Sequence, residues 1–543
     1  MESFYQSHGI LTVLIVLPLV GALAAYLSGE RNAKHVALWV GIAEFVLSLP
    51  LFVWFNPVGS CTFTTSRPAV SAAMQAPPPI DTPALMQNCV SAPWFPEWGI
   101  YYRLGMDGIS LFMVLLTTLL LPLMVLGSWT YVRERQRGFY ASLLALTTGV
   151  VGVFVAVDMF LFYVFWEMML IPMYFLIGLW GGRERVYAAV KFFLYTAVGS
   201  LLMLVAILYL WHKAQLGGAI GAPTFSYFDF LQLQLTGNEQ FLLFLAFALA
   251  FAIKVPMFPF HTWLPHAHVQ APTAGSVVLA GVLLKMGTYG FIRFALPLFP
   301  DAARDPRTVT WAMVLGLVGI LYAAMVAAVQ PNAKKLVAYT SVAHLGFVIL
   351  GIFAFNIQGM QGALLVMIGH GLSTPMLFFL LGMLYERRHT YEIDDFGGLA
   401  ASLPVFSTML VFAAMASIGL PGTAGFASEF LVLVGAFLAR PVMALIAALG
   451  VIFAAYYMLP MVQTMAFNAL SRRENRGLPD LGGREIAVLA PLVALIILLG
   501  FYPKPFLDRM EPAAARVIEL SQQNRLAPEY GPVAQAAAPT ENR

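Results

Sequence analysis

Apolar runs of roughly 20 residues, divided by short polar stretches, recur along the whole chain. At 1.5 Å per residue, a helix of that length crosses the ~30 Å hydrocarbon core of a bilayer. The pattern predicts an all-α polytopic membrane protein with about 14 spans. Their cores fall at 10–27, 35–55, 109–130, 138–156, 158–180, 189–211, 240–263, 274–298, 309–330, 334–355, 360–385, 403–438, 441–468 and 486–502. Continuous apolar runs, rather than alternating segments of about ten residues, favour helices over a β-barrel. The run Ile10 to Leu27 lacks a basic leader and is long for a signal-peptide core, so it reads as the first span.

Two connecting stretches are long. Residues 56–108, with "TTSRPAVSAAMQAPPPIDTPAL", predict an irregular external loop, and 212–239 a second external one. The tail beyond Pro503 ends in "YGPVAQAAAPTENR", which is expected to be disordered. The chain divides into 1–137 (spans 1–3 with the long loop), 138–298 (spans 4–8), 299–470 (spans 9–13) and 471–543 (the last span and tail).

Composition agrees with this reading. Of 543 residues, 60% are hydrophobic and 10% charged, with mean hydropathy +0.79; a soluble chain carries about 25% charged residues. The net charge of +3 says little, because orientation follows where the basic residues lie. One set of alternating loops holds Arg31, Lys34, Arg133, Arg135, Arg137, Arg183, Arg185, Lys191, Lys334, Lys335, Arg387, Arg388, Arg472, Arg473, Arg476 and Arg484, which is 16. The other set, without the C-terminal tail, holds Arg67, Arg103, Lys213, Arg304, Arg307 and Arg440, which is 6. The bias places the first set in the cytoplasm. An even number of spans then puts both termini outside, in the periplasm of a bacterium.

The two cysteines, Cys61 and Cys89, fall in the long loop. Nothing in their spacing suggests a metal or iron–sulfur site. A disulfide and two unpaired thiols both remain open, the first requiring an oxidising compartment.

Ionisable residues inside spans are costly and mark functional paths. Glu167 lies in "FYVFWEMMLIPMYF", Lys254 and Lys285 near the middle of spans 7 and 8, and Glu429 in "IGLPGTAGFASEF". His344 and His370 add two groups that titrate near neutrality. Each has a plainer reading: a snorkelling lysine, a structural ion pair, a packing histidine. Both lysines lie too deep for easy snorkelling. Glu44 in span 2 reads as structural or lipid-edge. His261, His266 and His268 are loosely spaced without a carboxylate or thiol, which argues against a metal site.

Helix-breaking residues accompany two of the charges. Pro256 and Pro259 follow Lys254, and Pro421 in "GLPGTAG" precedes Glu429. Broken helices at membrane depth occur where freed backbone groups meet protein or line a wet cavity. Interruptions five spans apart suggest two inverted five-helix repeats, spans 4–8 and 9–13, with breaks at spans 7 and 12. Carboxylate and lysine at ~4 Å interact by ~4 kcal/mol at an effective dielectric near 20. Separating such a pair weakens a lysine's hold on its proton, so a row of these groups with waters between them is a proton relay.

The stretch "FHTWLPHAHVQAPTAGSVVLAGVLLKMGTYGFIRF" resembles the signature of the antiporter-like subunits of respiratory complex I. So do "GMDGISLFMVLLTT", "FYVFWEMMLIPMYFLIGLWGG", "NAKKLVAYTSVAHLGFV" and "GLPGTAGFASEFLVL", which together cover about residues 105 to 435. Within that family the resemblance narrows to the chain M branch of NADH-quinone oxidoreductase, the counterpart of mitochondrial NADH dehydrogenase subunit 4. The acid Glu429 and "HAHVQAPTAGS" favour M over L and N, and the chain stops short of the long lateral helix of L. The long loop and its cysteines depart from the family pattern.

The resemblance implies that Glu167, Lys254, Lys285, His344, His370 and Glu429 lie on a central hydrophilic axis. Glu167 is expected to modulate Lys254, and Glu429 to be the terminal site. It implies neighbouring antiporter-like chains and lipids as partners, protons as cargo and a bacterial inner membrane as location. No cofactor is expected in this chain; flavin mononucleotide, iron–sulfur clusters and quinone belong to other subunits. The alternatives are a subunit of a multi-subunit sodium/proton antiporter and a purely structural membrane spacer.

Overall fold

The computed structural model describes residues 9–61, 86–216 and 222–523. The tail end predicted to be disordered, 530–543, lies outside the described residues, as does 62–85 of the long loop. Among the described residues, thirteen helices are long and apolar enough to cross a membrane. They are α1 (Ile10–Leu27), α2 (Ala33–Val53), α3 (Gly108–Gly127), α4 (Gln136–Val155), α5 (Met159–Trp180), α6 (Arg185–Leu216), α7 (Gly237–Lys254), α9 (Thr273–Leu298), α10 (Pro306–Ala328), α11 (Ala333–Ile352), α12 (Ile357–Arg388), α15 (Pro441–Phe467) and α16 (Gly483–Phe501). The short helix α8 (Trp263–Gln270) continues α7 beyond a break. The expected span 403–438 is two shorter helices, α13 (Pro404–Ile418) and α14 (Ala424–Ala439). Counted together they bring the spans to the expected total.

Several spans start on polar caps, because their first amides have no partner inside the helix. Asp107 accepts from the Ile109 and Ser110 amides, and Asp158 from those of Phe160 and Leu161. Thr236 and Glu239 form a capping box on α7. Asn332 and Asn356 cap α11 and α12.

Helices α9 and α12 run through the middle, their most apolar stretches wholly enclosed, with α3 and α11 nearly so. Helices α1, α2, α6 and α15 form the outside. They expose Leu23, Trp39, Val205, Leu445 and Ile452, as surfaces in contact with hydrocarbon do.

Two regions differ from the sequence expectation. The end of the long loop is an antiparallel hairpin, β1 (Gln87–Phe95) and β2 (Ile100–Met106). Its aromatic-rich sequence favours strands, and Gly99 turns the chain at φ 75°. Loop polarity upstream had masked that local preference. Backbone bonds from Val157 to Arg103 and from Phe225 to Gly99 tie the hairpin to the starts of neighbouring elements. Cys61 and Cys89 form a disulfide, which resolves the open alternative and ties the end of α2 to β1.

The second difference is α17 (Lys504–Gln522), a helix where only a tail was expected. Its buried residues Met510, Ala513, Ala514, Val517 and Ser521 share one face at spacings of three and four. That face lies on α3, α12 and the end of α9. Apolar content too low for a span had hidden the amphipathic repeat.

Candidate functional site

Both predicted helix breaks are present. Pro256 has no amide hydrogen for the Ala252 carbonyl, so Met257 takes that carbonyl at 2.7 Å. The Ile253 carbonyl, thereby left over, accepts the Trp263 indole at 2.9 Å. The chain passes Pro259 and resumes as α8. In the second break, Gly419 and Gly422 adopt φ 91° and 89° on either side of Pro421, values that favour glycine. Glu429 follows in the second turn of α14.

Lys254 is the last residue of α7 and is 1% exposed. Its ammonium lies 3.4 Å from the Met169 sulfur, 5.4 Å from the centre of the Trp166 ring and 5.5 Å from that of Phe192. Cation–π and thioether contacts therefore hold it. Among the described residues no carboxylate is within ion-pair distance of Lys254, and Glu167 lies within longer electrostatic reach of it. Glu167 is half-buried on α5, facing the hydroxyls of Tyr163 and Ser200. Pro172 lies just past an interruption of α5 at Met169, the residue whose sulfur meets the lysine.

The other four predicted residues come together. Lys285 on α9 is fully buried, and its Nζ is 2.7 Å from His370 Nδ1 on α12. It also donates to the Ala280 carbonyl, which sits in a π-helical turn, Leu279–Leu283. Such turns recur at functional sites because their carbonyls are incompletely engaged. The His370 and His344 rings are 5.6 Å apart, centre to centre. His344 Nδ1 is 2.6 Å from Glu429 Oε1, and its Nε2 is 3.3 Å from Ser417 Oγ. A narrow cavity lies against His344, His370, Ser373, Ser417, Ser428 and Glu429, on the scale of a water molecule. Four titratable groups from α9, α12, α11 and α14 thus form one continuous row, closely spaced enough to pass protons directly or through water.

The remaining residues singled out in the sequence lie apart from it. Glu44 is fully buried on α2, and among the described residues neither carboxylate oxygen has a hydrogen-bond partner. His261 packs between Phe258 and Tyr322. His266 lies 3.2 Å from Lys191 Nζ, and His268 stacks on Phe378. The three histidines therefore face three different neighbours.

Three buried cations escaped the sequence reading, among them Arg103, counted as a loop charge and 6% exposed. Arg293 on α9 pairs with Asp107 and donates to Tyr289, whose hydroxyl reaches the Phe154 carbonyl at 2.9 Å. The signal was present, since Arg293 lies within a predicted span. Lys334 was counted as a loop charge, yet it is buried and donates to the Ala271 carbonyl at 2.7 Å.

Comparison with known proteins follows from this geometry. The family described as "NADH:quinone oxidoreductase/Mrp antiporter, TM" matches residues 156–500. "NADH-ubiquinone oxidoreductase chain 4, amino terminus" matches 83–152. The NADH-quinone oxidoreductase subunit M of Rhodobacter capsulatus is 43% identical, covering 98% of this chain and 99% of its own. A chain in the structure of respiratory complex I from Thermus thermophilus with bound NADH superposes with TM-score 0.82. It has 32% identity and covers 94% of this chain and 100% of that one. A chain of the Mrp complex from Dietzia superposes with TM-score 0.78 at 20% identity, a likeness of fold, and covers 95% of this chain and 99% of that one. The protein is a multi-pass membrane protein, and it belongs to the NADH-quinone oxidoreductase subunit M family of antiporter-like chains.

Proposed function

We propose that this chain is a proton-translocating membrane subunit of an NADH:quinone oxidoreductase, driven by redox chemistry in other subunits. The observation that carries the reading is the buried row Lys285–His370–His344–Glu429. Glu167 and Lys254, on α5 and α7, are its modulating residues. A proton on Lys285 passes along its hydrogen bond to His370 Nδ1, leaving a neutral amine. The imidazolium returns the charge through a water to His344, which delivers it to the Glu429 carboxylate. No bond to carbon forms or breaks; each histidine accepts at one ring nitrogen and releases from the other, and must return to its starting tautomer before the next proton.

Near-full-length relatedness to chains bearing the subunit M name supports the oxidoreductase over a free-standing antiporter. Flavin, iron–sulfur and quinone chemistry is assigned to partner subunits. Both cysteines here are joined to each other, so neither offers a thiolate to a cluster. The partners are neighbouring membrane subunits in a bacterial inner membrane. The basic-loop face is assigned to the cytoplasm and both termini to the periplasm.

The test is Lys254→Ala and Glu167→Gln in the assembled complex. Both are expected to lower NADH-driven proton pumping by about tenfold or more, as removal of a proton-transfer group does. Wild-type turnover and pumping in both variants, with normal assembly, would overturn the relay.

A further inference from the structure

Helix α2 carries an ionisable group that the relay does not use. Glu44 lies near the middle of this outer helix, and its side chain is fully buried. The buried positions Ala37, Gly41, Glu44, Ser48 and Leu51 recur at spacings of three and four, so Glu44 shares one inward face with Gly41 and Ser48. That face meets α3 in reverse order. Gly41 comes against Leu121 and Pro122, where an added Cβ would lie 3.3 Å from the Pro122 nitrogen. One turn beyond Glu44, the Ser48 hydroxyl is 2.7 Å from that of Thr118. Glu44 therefore sits opposite the α3 segment from Thr118 to Pro122.

This segment offers oxygen lone pairs. Pro122 has no amide hydrogen, so the Thr118 carbonyl, which points along α3 toward it, lacks its helical donor. The Ser48 and Thr118 hydroxyls have two hydrogens for three contacts: the Phe45 carbonyl at 2.8 Å, the Leu115 carbonyl at 3.1 Å and each other. Neither hydrogen is spare for a carboxylate, and among the described residues neither Glu44 oxygen has a donor. Nor does any cationic side chain among those residues pair with it. A carboxylate facing only acceptors at this depth is strongly unfavourable unless a positive charge joins it.

We propose that Glu44, Ser48 and Thr118 form a binding site for one sodium ion, which fastens α2 to α3. The ligands are the Glu44 carboxylate, the two hydroxyl oxygens and the Thr118 carbonyl, an all-oxygen set of the kind that hard cations take. One carboxylate balances one monovalent charge, whereas a divalent ion would leave a net charge in the apolar interior. The site shares no residue with the row Lys285–His370–His344–Glu429 and does not depend on the function of that row.

The assembled complex is equilibrated with sodium chloride or choline chloride at equal ionic strength. Bound sodium is counted by atomic emission, and thermal unfolding is followed in wild type, Glu44→Gln and Thr118→Val. Wild type is expected to retain one sodium ion per complex more than Glu44→Gln, and to unfold at a higher temperature in sodium than in choline. Thr118→Val keeps the shape and removes one ligand, so it should need about tenfold more sodium for the same shift. Equal sodium content and equal response in wild type and Glu44→Gln overturn the site. Stability that responds to pH but not to sodium assigns Glu44 a proton in place of the ion, and overturns it as well. If Glu44→Gln does not assemble, an unchanged sodium dependence in Thr118→Val overturns the proposal.

Discussion

Arg293 and Asp107 hold the C-terminal part of α9 to the start of α3, with Tyr289 and the Phe154 carbonyl completing the network. Breaking a buried pair leaves the surviving charge without a partner, which costs about 3–5 kcal/mol. Arg293→Met is therefore expected to lower the thermal unfolding temperature of the purified complex. Adding Asp107→Asn should recover part of the loss, because no charge then remains. The arginine was readable as an intramembrane charge, but its partner was not: the two residues are 186 apart in sequence. The same limit applies to Lys254. Its charge and depth were legible, whereas the Trp166, Phe192 and Met169 contacts depend on how α5 and α6 pack around it. Only pairs set by helical spacing, such as Glu44 with Ser48, could be read from the chain alone.

Long apolar helices were the most legible elements, because length and composition fix them. Boundaries moved by a few residues, as at α6, which runs from Arg185 to Leu216 instead of 189–211. The hairpin and α17 were missed because neither is apolar enough to register as a span. Their placement nonetheless depends on specific contacts. A Cβ on Gly108 would lie 1.9 Å from the Arg509 carbonyl oxygen, so only glycine lets α17 seat against the start of α3. Gly108→Ala is expected to displace α17 at a cost of roughly 1–3 kcal/mol. Hydrogen exchange should then rise in 504–522 and stay unchanged in α10. Normal protection of α17 in this variant would mean that the close approach does not control its docking.

Across the whole molecule, the row crosses four helices laterally while the spans run through the membrane. Groups acting in series lose their effect together, so their removal is not additive. Lys285→Met and Glu429→Gln should each reduce proton pumping by about tenfold or more. The double variant should be no worse than the poorer single one. Multiplying losses would indicate two independent routes in place of one. The sequence located these residues, because charges and histidines inside apolar runs are rare. Their contacts came from helices brought together out of chain order, with α9 and α12 as neighbours at the centre.

The π-helical turn at Leu279–Leu283 adds one residue to a regular helix, and each residue turns a helix by about 100°. The direction in which Lys285 points is thus governed by how many residues precede it in that turn, more than by which ones they are. A same-size exchange at Val282 would leave the lysine aimed at His370, whereas loss of any one residue there would swing it into the apolar packing. For a position like this, the length of the chain is as heritable a determinant of chemistry as the identity of the side chain.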